Sequence, residues 1–194
     1  MNANTHLILA SSSKYRRELL ERLRIPFEVE SPNVDESPLL NESPAELVLR
    51  LAQVKAQAIA KHHPDAWVIG SDQVADYLGA AIGKPETHDR AMAQLQLMRG
   101  EKIIFRTGLC LTKGDVIHCL SVDTEVTFRE LPDEDLERYL LAEKPYDCAG
   151  SAKSEGLGIT LLSSIKSDDP TALIGLPLIA LSGLLRDVGF KIPY

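Results

Sequence analysis

The sequence predicts a mixed α/β fold, in which short buried strands alternate with amphipathic helices. Brief apolar runs such as Leu7 to Ala10 and Ala66 to Ile69 end at small residues, as buried strands do. Between such runs, apolar residues recur every three or four positions, as on the buried face of a helix. With 194 residues and 44% hydrophobic content, the chain can bury a full core. We therefore expect one domain over residues 1–194.

The composition excludes several classes of protein. There are 28 acidic and 21 basic residues, which gives a net charge of -7. This balance argues against a partner that is nucleic acid or an anionic membrane bound through bulk charge. The longest uncharged run, Pro170 to Leu185, contains glycine and proline and is too short to span a membrane. An anionic ligand would therefore need a local basic cluster or a metal.

The cysteines and the first apolar run predict a location. Cys110, Cys119 and Cys148 are odd in number and lack C-x-x-C spacing, which predicts neither a disulfide framework nor a zinc site. We interpret them as buried thiols in a reducing compartment. The run Leu7 to Ala10 is too short for the core of a signal peptide, and basic residues follow rather than precede it. We expect a cytoplasmic protein.

The first strand leads through three serines into a helix from about Lys14 to Arg24. Lys14, Arg16 and Arg17 lie in its first turn, where cations oppose the helix dipole. Serine hydroxyls, backbone N–H groups and arginines after a strand are typical of a phosphate site. A solvated basic face is the alternative. The residues alone do not choose between Arg16 and Arg17.

An acidic loop follows the second strand, Ile25 to Glu30. Six acidic residues and no basic one lie between Glu28 and Glu46. Asp35 and Glu36 lie in the loop directly after the strand, where a carboxylate could face a cleft and hold a hard divalent cation. A solvated acidic loop is the alternative, and the pattern does not choose between the two residues.

A capping box, Ser43-Pro44-Ala45-Glu46, opens the second helix, which we expect to end near Lys61. Its predicted core-facing stripe repeats at intervals of four, three and four residues: Leu47, Leu51, Val54 and Ala58. Lys55 borders that stripe. Either its stem covers the core or its ammonium group serves a site.

The stretch Gly70-Ser71-Asp72-Gln73 follows the apolar run that ends at Ile69. We expect Asp72 to be a catalytic carboxylate at the end of a strand, with Gly70 admitting a ligand close to the backbone. An aspartate that caps a turn is the alternative.

The rest of the chain predicts further elements around two loops. A second crossing is predicted from about Val74 to Ile82, with its turn at Gly79, and Gly83-Lys84-Pro85 ends it and places Lys84 rigidly. The small-residue segment from Tyr146 to Gly158 surrounds Glu155 and predicts a binding loop, with an ordinary glycine-rich turn as the alternative. The remaining predictions are helices at His88 to Arg99, Asp133 to Glu143 and Pro177 to Val188, a hairpin of Lys102 to Lys113 and Val116 to Arg129 turning at Gly114-Asp115, and a strand at Ile159 to Leu162.

Seven short motifs occur in order along essentially the whole chain. They are Leu9-Ala10-Ser11-Ser12-Ser13 with Arg16-Arg17-Glu18-Leu19-Leu20, Val34-Asp35-Glu36, Arg50-Leu51-Ala52 with Lys55-Ala56, Gly70-Ser71-Asp72, Gly83-Lys84-Pro85, Ala149-Gly150 with Glu155-Gly156, and Gly175-Leu176-Pro177-Leu178. On these motifs the chain resembles the Maf family of nucleoside triphosphate pyrophosphatases, related in fold to the inosine triphosphate pyrophosphatases. The family usually has proline where this chain has Lys14, so the fixed backbone angle of proline is lost here.

The resemblance implies an elongated mixed central sheet flanked by helices, a cleft between two lobes, and commonly a homodimer. It also implies hydrolysis of a nucleoside triphosphate to the monophosphate and pyrophosphate with a divalent metal, Mg²⁺ or Mn²⁺. The implied roles are proton acceptor for Asp72, catalytic lysines at Lys55 and Lys84, phosphate binding by Ser11 and Arg16, and metal binding by Glu36 and Asp72.

Three further positions sort substrates in the family, and they correspond to Tyr15, Gln73 and Glu155. An aromatic residue, Gln and Glu are typical of the branch acting on 7-methyl-GTP, whereas Arg, Thr and Gln are typical of the branch acting on dTTP and UTP. A tyrosine face can stack on the cationic methylated guanine, and a carboxylate can accept its N1 and N2 hydrogens. Because adjacent strand residues face opposite ways, a role for both Asp72 and Gln73 predicts a broken or bulged strand.

Two other functions fit the sequence less well. One is the same chemistry on dTTP or UTP. The other is a non-catalytic nucleotide-binding regulator of septum formation, in which Asp72 and both lysines could be lost without effect. A nucleic-acid-binding module is disfavoured by the net acidity and by an aromatic content of only 5%.

Overall fold

The computed structural model describes residues 6–193, so the first five residues and Tyr194 of the predicted domain lie outside the described residues. Its strands are β1 (Leu7–Ala10), β2 (Glu28–Glu30), β3 (Trp67–Tyr77), β4 (Ala80–Ile82), β5 (Lys102–Lys113), β6 (Val116–Phe128) and β7 (Leu162–Ser167). Its α-helices are α1 (Lys14–Glu21), α2 (Pro44–Ala60), α3 (His88–Met98), α4 (Asp133–Glu143) and α5 (Leu178–Asp187). Short 3₁₀ turns cover Ala149–Ser151, Leu157–Leu161 and Ala172–Ile174.

The seven strands form one mixed sheet in the order β2-β1-β3-β5-β6-β7, with β4 also on β3. The strand β1 pairs in parallel with β2 and β3, and every other pairing is antiparallel. The predicted mixed α/β fold with an elongated central sheet is confirmed.

A gap interrupts one edge of β3. On that edge β1 pairs with Trp67 to Gly70, and β4 pairs with Ala75 to Tyr77. The opposite edge is taken by β5 from Val68 to Asp76. Among the described strands, none therefore pairs with residues 71–74 on the β1 side. The gap gives a ligand access to the middle of the sheet.

The helix α2 packs directly on the sheet because two strand positions have no side chain. A Cβ atom at Gly70 would lie 2.1 Å from the carbonyl oxygen of Ala52, and one at Gly108 would lie 2.2 Å from that of Val48. The prediction that Gly70 admits a ligand is wrong, because the backbone of α2 fills that space.

Because of this close packing, the face of α2 that is buried differs from the predicted face. The buried residues of the helix are Pro44, Leu47, Val48, Leu51, Ala52, Lys55, Ala56 and Ile59. The predicted stripe through Val54 and Ala58 is wrong, because small Ala52 and Ala56 face the sheet instead. Lys55 consequently lies within the buried face and not at its border.

Two large hydrophobic clusters lie on either side of the gap. One joins α1 and α5 to β1 and the first half of β3, around Leu9 and Leu181. The other joins α3 and α4 to β5, β6 and β7, around Phe105 and Leu140. They form two lobes, and the loops that connect them surround the gap.

Two further predictions are wrong. The run Ile159 to Leu162 forms the 3₁₀ turn Leu157–Leu161, and the strand begins only at Leu162. Cys110 and Cys119 are not free thiols: they face each other in the β5–β6 ladder with Cα atoms 4.2 Å apart and are joined as a disulfide. Cys119 is also exposed. Cys148 is half-buried and free.

Candidate functional site

A cleft of about 620 Å³ opens at the gap in the sheet. Its walls come from the loop before α1, the loop after β2, α2, β3, the loop after β4 and the segment around residue 150. Eight of the nine predicted site residues line it: Tyr15, Arg16, Glu36, Lys55, Asp72, Gln73, Lys84 and Glu155. The fold therefore brings together residues that are up to 140 positions apart in sequence.

Lys55 links two carboxylates at the floor of the cleft. Its Nζ lies 2.6 Å from Oδ1 of Asp72 and 2.8 Å from Oε2 of Glu36. The side chains of Lys55 and Asp72 are buried, whereas that of Glu36 is 54% exposed. A lysine whose stem merely covered the core would hold its ammonium in water, so the contacts exclude that alternative. The geometry fixes one cation between two anions.

Asp72 lies in the middle of β3 and not at its end. Its side chain faces α2, and its Oδ1 accepts a hydrogen bond from Lys55. The prediction of a strand end is wrong, because β3 continues to Tyr77. The gap nevertheless gives Asp72 the access to the cleft that a strand end would have given. No described turn or helix is capped by this carboxylate.

Gln73 faces the other side of the sheet. Its Nε2 donates to the carbonyl oxygens of Ala172 at 2.8 Å and Leu173 at 3.0 Å, and lies 3.1 Å from Oγ1 of Thr107. The register between β3 and β5 is unbroken from Val68 to Asp76, so the predicted bulge is wrong. Both faces reach the cleft because the neighbouring strand is missing there. With its N–H groups used, Gln73 retains its carbonyl oxygen as an acceptor.

The first turn of α1 presents Arg16 to the cleft. Ser13 caps the helix by accepting from the Arg16 N–H at 3.4 Å, so α1 begins at Lys14 without the proline usual in the family. Nε of Arg16 donates to the carbonyl oxygen of Gly175 at 2.8 Å, and Oγ of Ser71 donates to the same oxygen at 3.0 Å. Burial lowers the pKa of the Arg16 guanidinium, and the Asp72 and Glu36 carboxylates oppose that shift.

The structure distinguishes the two pairs that the sequence left open. Arg17 is exposed and pairs with Glu21 at 3.1 Å, so Arg16 is the arginine of the cleft. Asp35 accepts from the backbone N–H of Ser37 at 2.9 Å, which leaves Glu36 as the carboxylate that meets Lys55.

Ser11 and Lys84 differ in their exposure. Ser11 is only 4% exposed, and its Oγ accepts from the backbone N–H of Ser13 at 3.1 Å. It does not line the cleft, whereas Ser12 and Ser13 do. Lys84 is exposed and lines the cleft from the loop after β4. A phosphate contact by Ser11 stays a prediction.

Tyr15 lines the cleft among charged groups. Its hydroxyl donates to Oδ1 of Asp147 at 3.3 Å. Nζ of Lys14 lies 4.8 Å and Nζ of Lys153 lies 5.9 Å from the centroid of its ring. Lys153 also pairs with Glu143 at 2.5 Å, which fixes the loop that carries Glu155. Desolvation raises the pKa of Glu155 above its ordinary value, and Lys153 partly offsets that shift.

The family model for the Maf-like proteins matches residues 6–188. The chain belongs to the Maf family. It is 59% identical over 186 residues to the 7-methyl-GTP pyrophosphatase of Cupriavidus metallidurans, covering 95% of this chain and 94% of that protein. It is 58% identical over 197 residues to the 7-methyl-GTP pyrophosphatase of Paraburkholderia xenovorans, covering 99% of this chain and 96% of that protein.

Among solved structures, this Maf chain is similar to the Staphylococcus aureus Ham1 protein with a TM-score of 0.48 and 13% identity. The likeness covers 65% of this chain and 73% of the Ham1 chain. In the described part of the Maf chain, no helix has the length and apolar character needed to cross a membrane.

The carboxylates of this Maf site fit a metal that is shared with a substrate. Among the described residues, no three His, Cys, Asp or Glu side chains are grouped as a metal site. Glu36 and Asp72 do converge, because both contact Nζ of Lys55. Mg²⁺ typically takes one or two protein carboxylates and completes its shell with phosphate oxygens and water. These two residues suit that arrangement and not a cage made by protein alone.

Sequence reasoning missed residues that support the Maf site from outside it. Gly175 supplies the carbonyl oxygen that holds both Arg16 and Ser71, and its φ of 120° is one that glycine tolerates best. Asp147 reaches Tyr15 from 132 residues away. Gly175 belongs to a family motif, which was a usable signal. Nothing in the sequence around Asp147 distinguishes it from other loop carboxylates.

Proposed function

We propose that this Maf protein hydrolyses 7-methyl-GTP to 7-methyl-GMP and pyrophosphate. One observation carries the proposal: Lys55 joins Asp72 and Glu36 in a cleft that Arg16 and Lys84 also line. The names of the 58–59% identical relatives support the reaction and its substrate.

The cleft can meet the charge of a triphosphate. A nucleoside triphosphate brings about four negative charges into a chain with a net charge of -7, so local cations are required. Arg16 is held by the Gly175 carbonyl, which aims its remaining N–H groups away from that contact. Lys84 follows β4, which lies at the other end of the gap from β1, the strand before Arg16. Together with Lys55 they would hold the phosphates from two sides.

Asp72 would take the proton of the attacking water. Its Oδ1 is held by Lys55, which fixes the carboxylate and leaves Oδ2 able to accept. Attack at the α-phosphorus then expels pyrophosphate, whose developing charge Lys84 and Arg16 stabilise. No covalent intermediate is needed, and water alone supplies the new oxygen of the monophosphate.

A divalent metal, Mg²⁺ or Mn²⁺, would be held by Glu36 and Asp72 together with phosphate oxygens. When bound, such an ion supplies charge stabilisation to the phosphates and the leaving group. Lys55 contacts the same two carboxylates and would keep them in position for the ion.

The part of the cleft lined by Tyr15 and Glu155 would bind the base. Stacking of the cationic methylated guanine on Tyr15 is worth about 0.5 to 2 kcal/mol. Glu155 and the carbonyl oxygen of Gln73 would accept hydrogens from the guanine edge, which thymine and uracil do not present in the same way. Lys14 and Lys153 near Tyr15 oppose a cationic base, and their partners Asp147 and Glu143 offset them.

The proposal includes a cellular setting. We propose a cytoplasmic location, where the nucleotide substrate of the proposed reaction would be met. A single sheet through all described strands supports one domain over residues 1–194. The family resemblance supports a homodimer, and the net charge supports a protein with neither nucleic acid nor membrane as partner.

Hydrolysis in ¹⁸O-labelled water tests the reaction. The purified protein, 7-methyl-GTP and Mg²⁺ should yield 7-methyl-GMP that carries the label, together with unlabelled pyrophosphate. Label in pyrophosphate, or release of inorganic phosphate as the first product, would show attack elsewhere on the triphosphate and would contradict the proposal.

A further inference from the structure

Glu36 lies on a long loop that has no strand or helix of its own. The loop runs from the end of β2 at Glu30 to the start of α2 at Pro44. Such a loop would ordinarily be mobile, whereas a carboxylate that meets Lys55 must be fixed in position. Some other contact must therefore hold the loop that carries Glu36.

Arg50 on α2 holds this loop through a forked ion pair. Its Nε lies 2.5 Å from Oε1 of Glu42, and its Nη2 lies 2.8 Å from Oε2 of the same carboxylate. The same Nη2 donates to the carbonyl oxygen of Ser37 at 3.0 Å. Glu42 in turn accepts from the backbone N–H of Leu39 at 2.9 Å. These contacts tie the two ends of the segment from Ser37 to Glu42 to each other and fasten the segment to α2.

The ion pair between Arg50 and Glu42 is largely shielded from water. The side chain of Glu42 is 7% exposed and that of Arg50 is 25% exposed. Hydrogen bonding to Arg50 is the main cause that lowers the pKa of Glu42 to about 2. Shielded, bidentate Arg–carboxylate pairs are the geometry in which an ion pair fixes structure, unlike exposed pairs.

We propose that Arg50 and Glu42 are positioning residues, which hold Glu36 against Lys55 for the reaction; this rests on the proposed function. Arg50 belongs to the Arg50-Leu51-Ala52 motif, yet it contacts none of the catalytic groups. It binds Ser37, the residue next to Glu36, while Lys55 binds Glu36 itself. Two residues of one helix therefore hold two adjacent residues of the loop.

The substitution Arg50→Lys tests the proposal, since an ammonium keeps the charge but cannot make the fork. We expect kcat for 7-methyl-GTP to fall about 10- to 100-fold, as is usual when the support of a ligating residue is lost. We also expect faster amide hydrogen exchange over residues 35–42, with α2 and the circular dichroism spectrum unchanged. Arg17→Lys is the matched control, because Arg17 is exposed on α1 and pairs with Glu21 alone.

A double variant shows whether Arg50 acts through Glu36. In a Glu36→Gln background, Arg50→Lys should cause little further loss, because the group that it positions is already gone. Full additivity of the two losses, or unchanged exchange in the loop, would overturn the proposal. If Arg50→Lys does not fold, Glu42→Gln removes the same fork with a smaller change and must give the same result. Loop exchange is measured without substrate, so the clamp can be confirmed even if the unsubstituted protein fails to hydrolyse 7-methyl-GTP.

Discussion

The single ammonium group of Lys55 contacts both Asp72 and Glu36 at the floor of the cleft. The effect of substituting either carboxylate therefore depends on the contact that the other one keeps. A buried cation with two partners keeps a favourable contact when one partner becomes neutral. Substitutions that preserve shape should therefore change chemistry more than folding. That separation makes the roles of the two carboxylates measurable.

Asp72→Asn should lower kcat about 10²- to 10⁴-fold, the usual contribution of a general base. Lys55 retains Glu36, so we expect nucleotide binding and the circular dichroism spectrum to be largely unchanged. Steady-state kinetics with 7-methyl-GTP measures the effect. Asp35→Asn is the control, since Asp35 only orders its own turn through Ser37. Near-normal turnover of the Asp72 variant would exclude it as the base.

Glu155 should show a conflict between folding and specificity. Desolvation raises its pKa above the ordinary 4.5, so the ionised side chain is a cost to the folded state. That cost is absent below pH 4.5 and complete above the raised pKa. Glu155 is exposed, so water screens most of this cost. Glu155→Gln should therefore raise Tm only slightly near neutral pH and leave it unchanged in acid, and thermal melts at both pH values measure the difference.

The same Glu155→Gln protein should discriminate less well between 7-methyl-GTP and GTP. It loses the negative charge that favours a cationic base but keeps a carbonyl acceptor. A lower Tm near neutral pH would show that Glu155 stabilises the fold. Unchanged discrimination would show that the base is recognised elsewhere.

At the scale of elements, the close packing of α2 on β3 and β5 positions Lys55. Gly70→Ala would drive a methyl group into the Ala52 carbonyl, and overpacking of this kind costs about 1 to 3 kcal/mol or more. We expect a lower free energy of unfolding and, because α2 must shift, a lower kcat. Urea unfolding and kinetics on one preparation measure both.

Gly183→Ala is the matched control for that substitution. Gly183 lies inside α5 with nothing within 4 Å of its Cβ position. The same added methyl group should therefore stabilise the protein by about 0.5 to 1 kcal/mol through helix propensity. Equal destabilisation by both substitutions would mean that the contact of α2 with Gly70 does not matter.

Local patterns predicted most elements, and the misses come from contacts between elements. The helix α4 and strand β5 have the predicted bounds, because their periodicity and turns are local signals. The buried face of α2 was mispredicted because it depends on glycines in β3 and β5, far along the chain. The Cys110–Cys119 pair was predictable in principle: both cysteines are equally far from the turn at Gly114-Asp115, so the hairpin places them opposite each other.

At the scale of the whole molecule, the site depends on a gap that no local pattern shows. Both β1 and β4 pair with the same edge of β3 and leave residues 71–74 open. The motifs predicted which residues meet, and eight of the nine line the cleft. The motifs did not predict how Asp72 and Gln73, on opposite faces of an unbroken strand, can both line one cleft. That arrangement follows from the order in which the strands pair.

The overall charge makes the cleft a local exception in an acidic protein. A net charge of -7 repels a triphosphate at long range, so binding depends on cations within a few ångströms of the phosphates. Under the proposed function, selectivity among triphosphates must then come from contacts with the base, for which Tyr15, Gln73 and Glu155 are the candidates. The order in which the protein prefers different triphosphates is therefore the property that best tests how the cleft binds its substrate.

The most direct test is pyrophosphate release from 7-methyl-GTP, GTP, dTTP and UTP, measured as kcat/KM for each with Mg²⁺ or Mn²⁺. We predict the highest kcat/KM for 7-methyl-GTP, by about tenfold or more over GTP, since stacking of a cation and one carboxylate contact together are worth at least 1.4 kcal/mol. Equal or faster hydrolysis of dTTP or UTP, or no pyrophosphate from any of the four, would contradict this account.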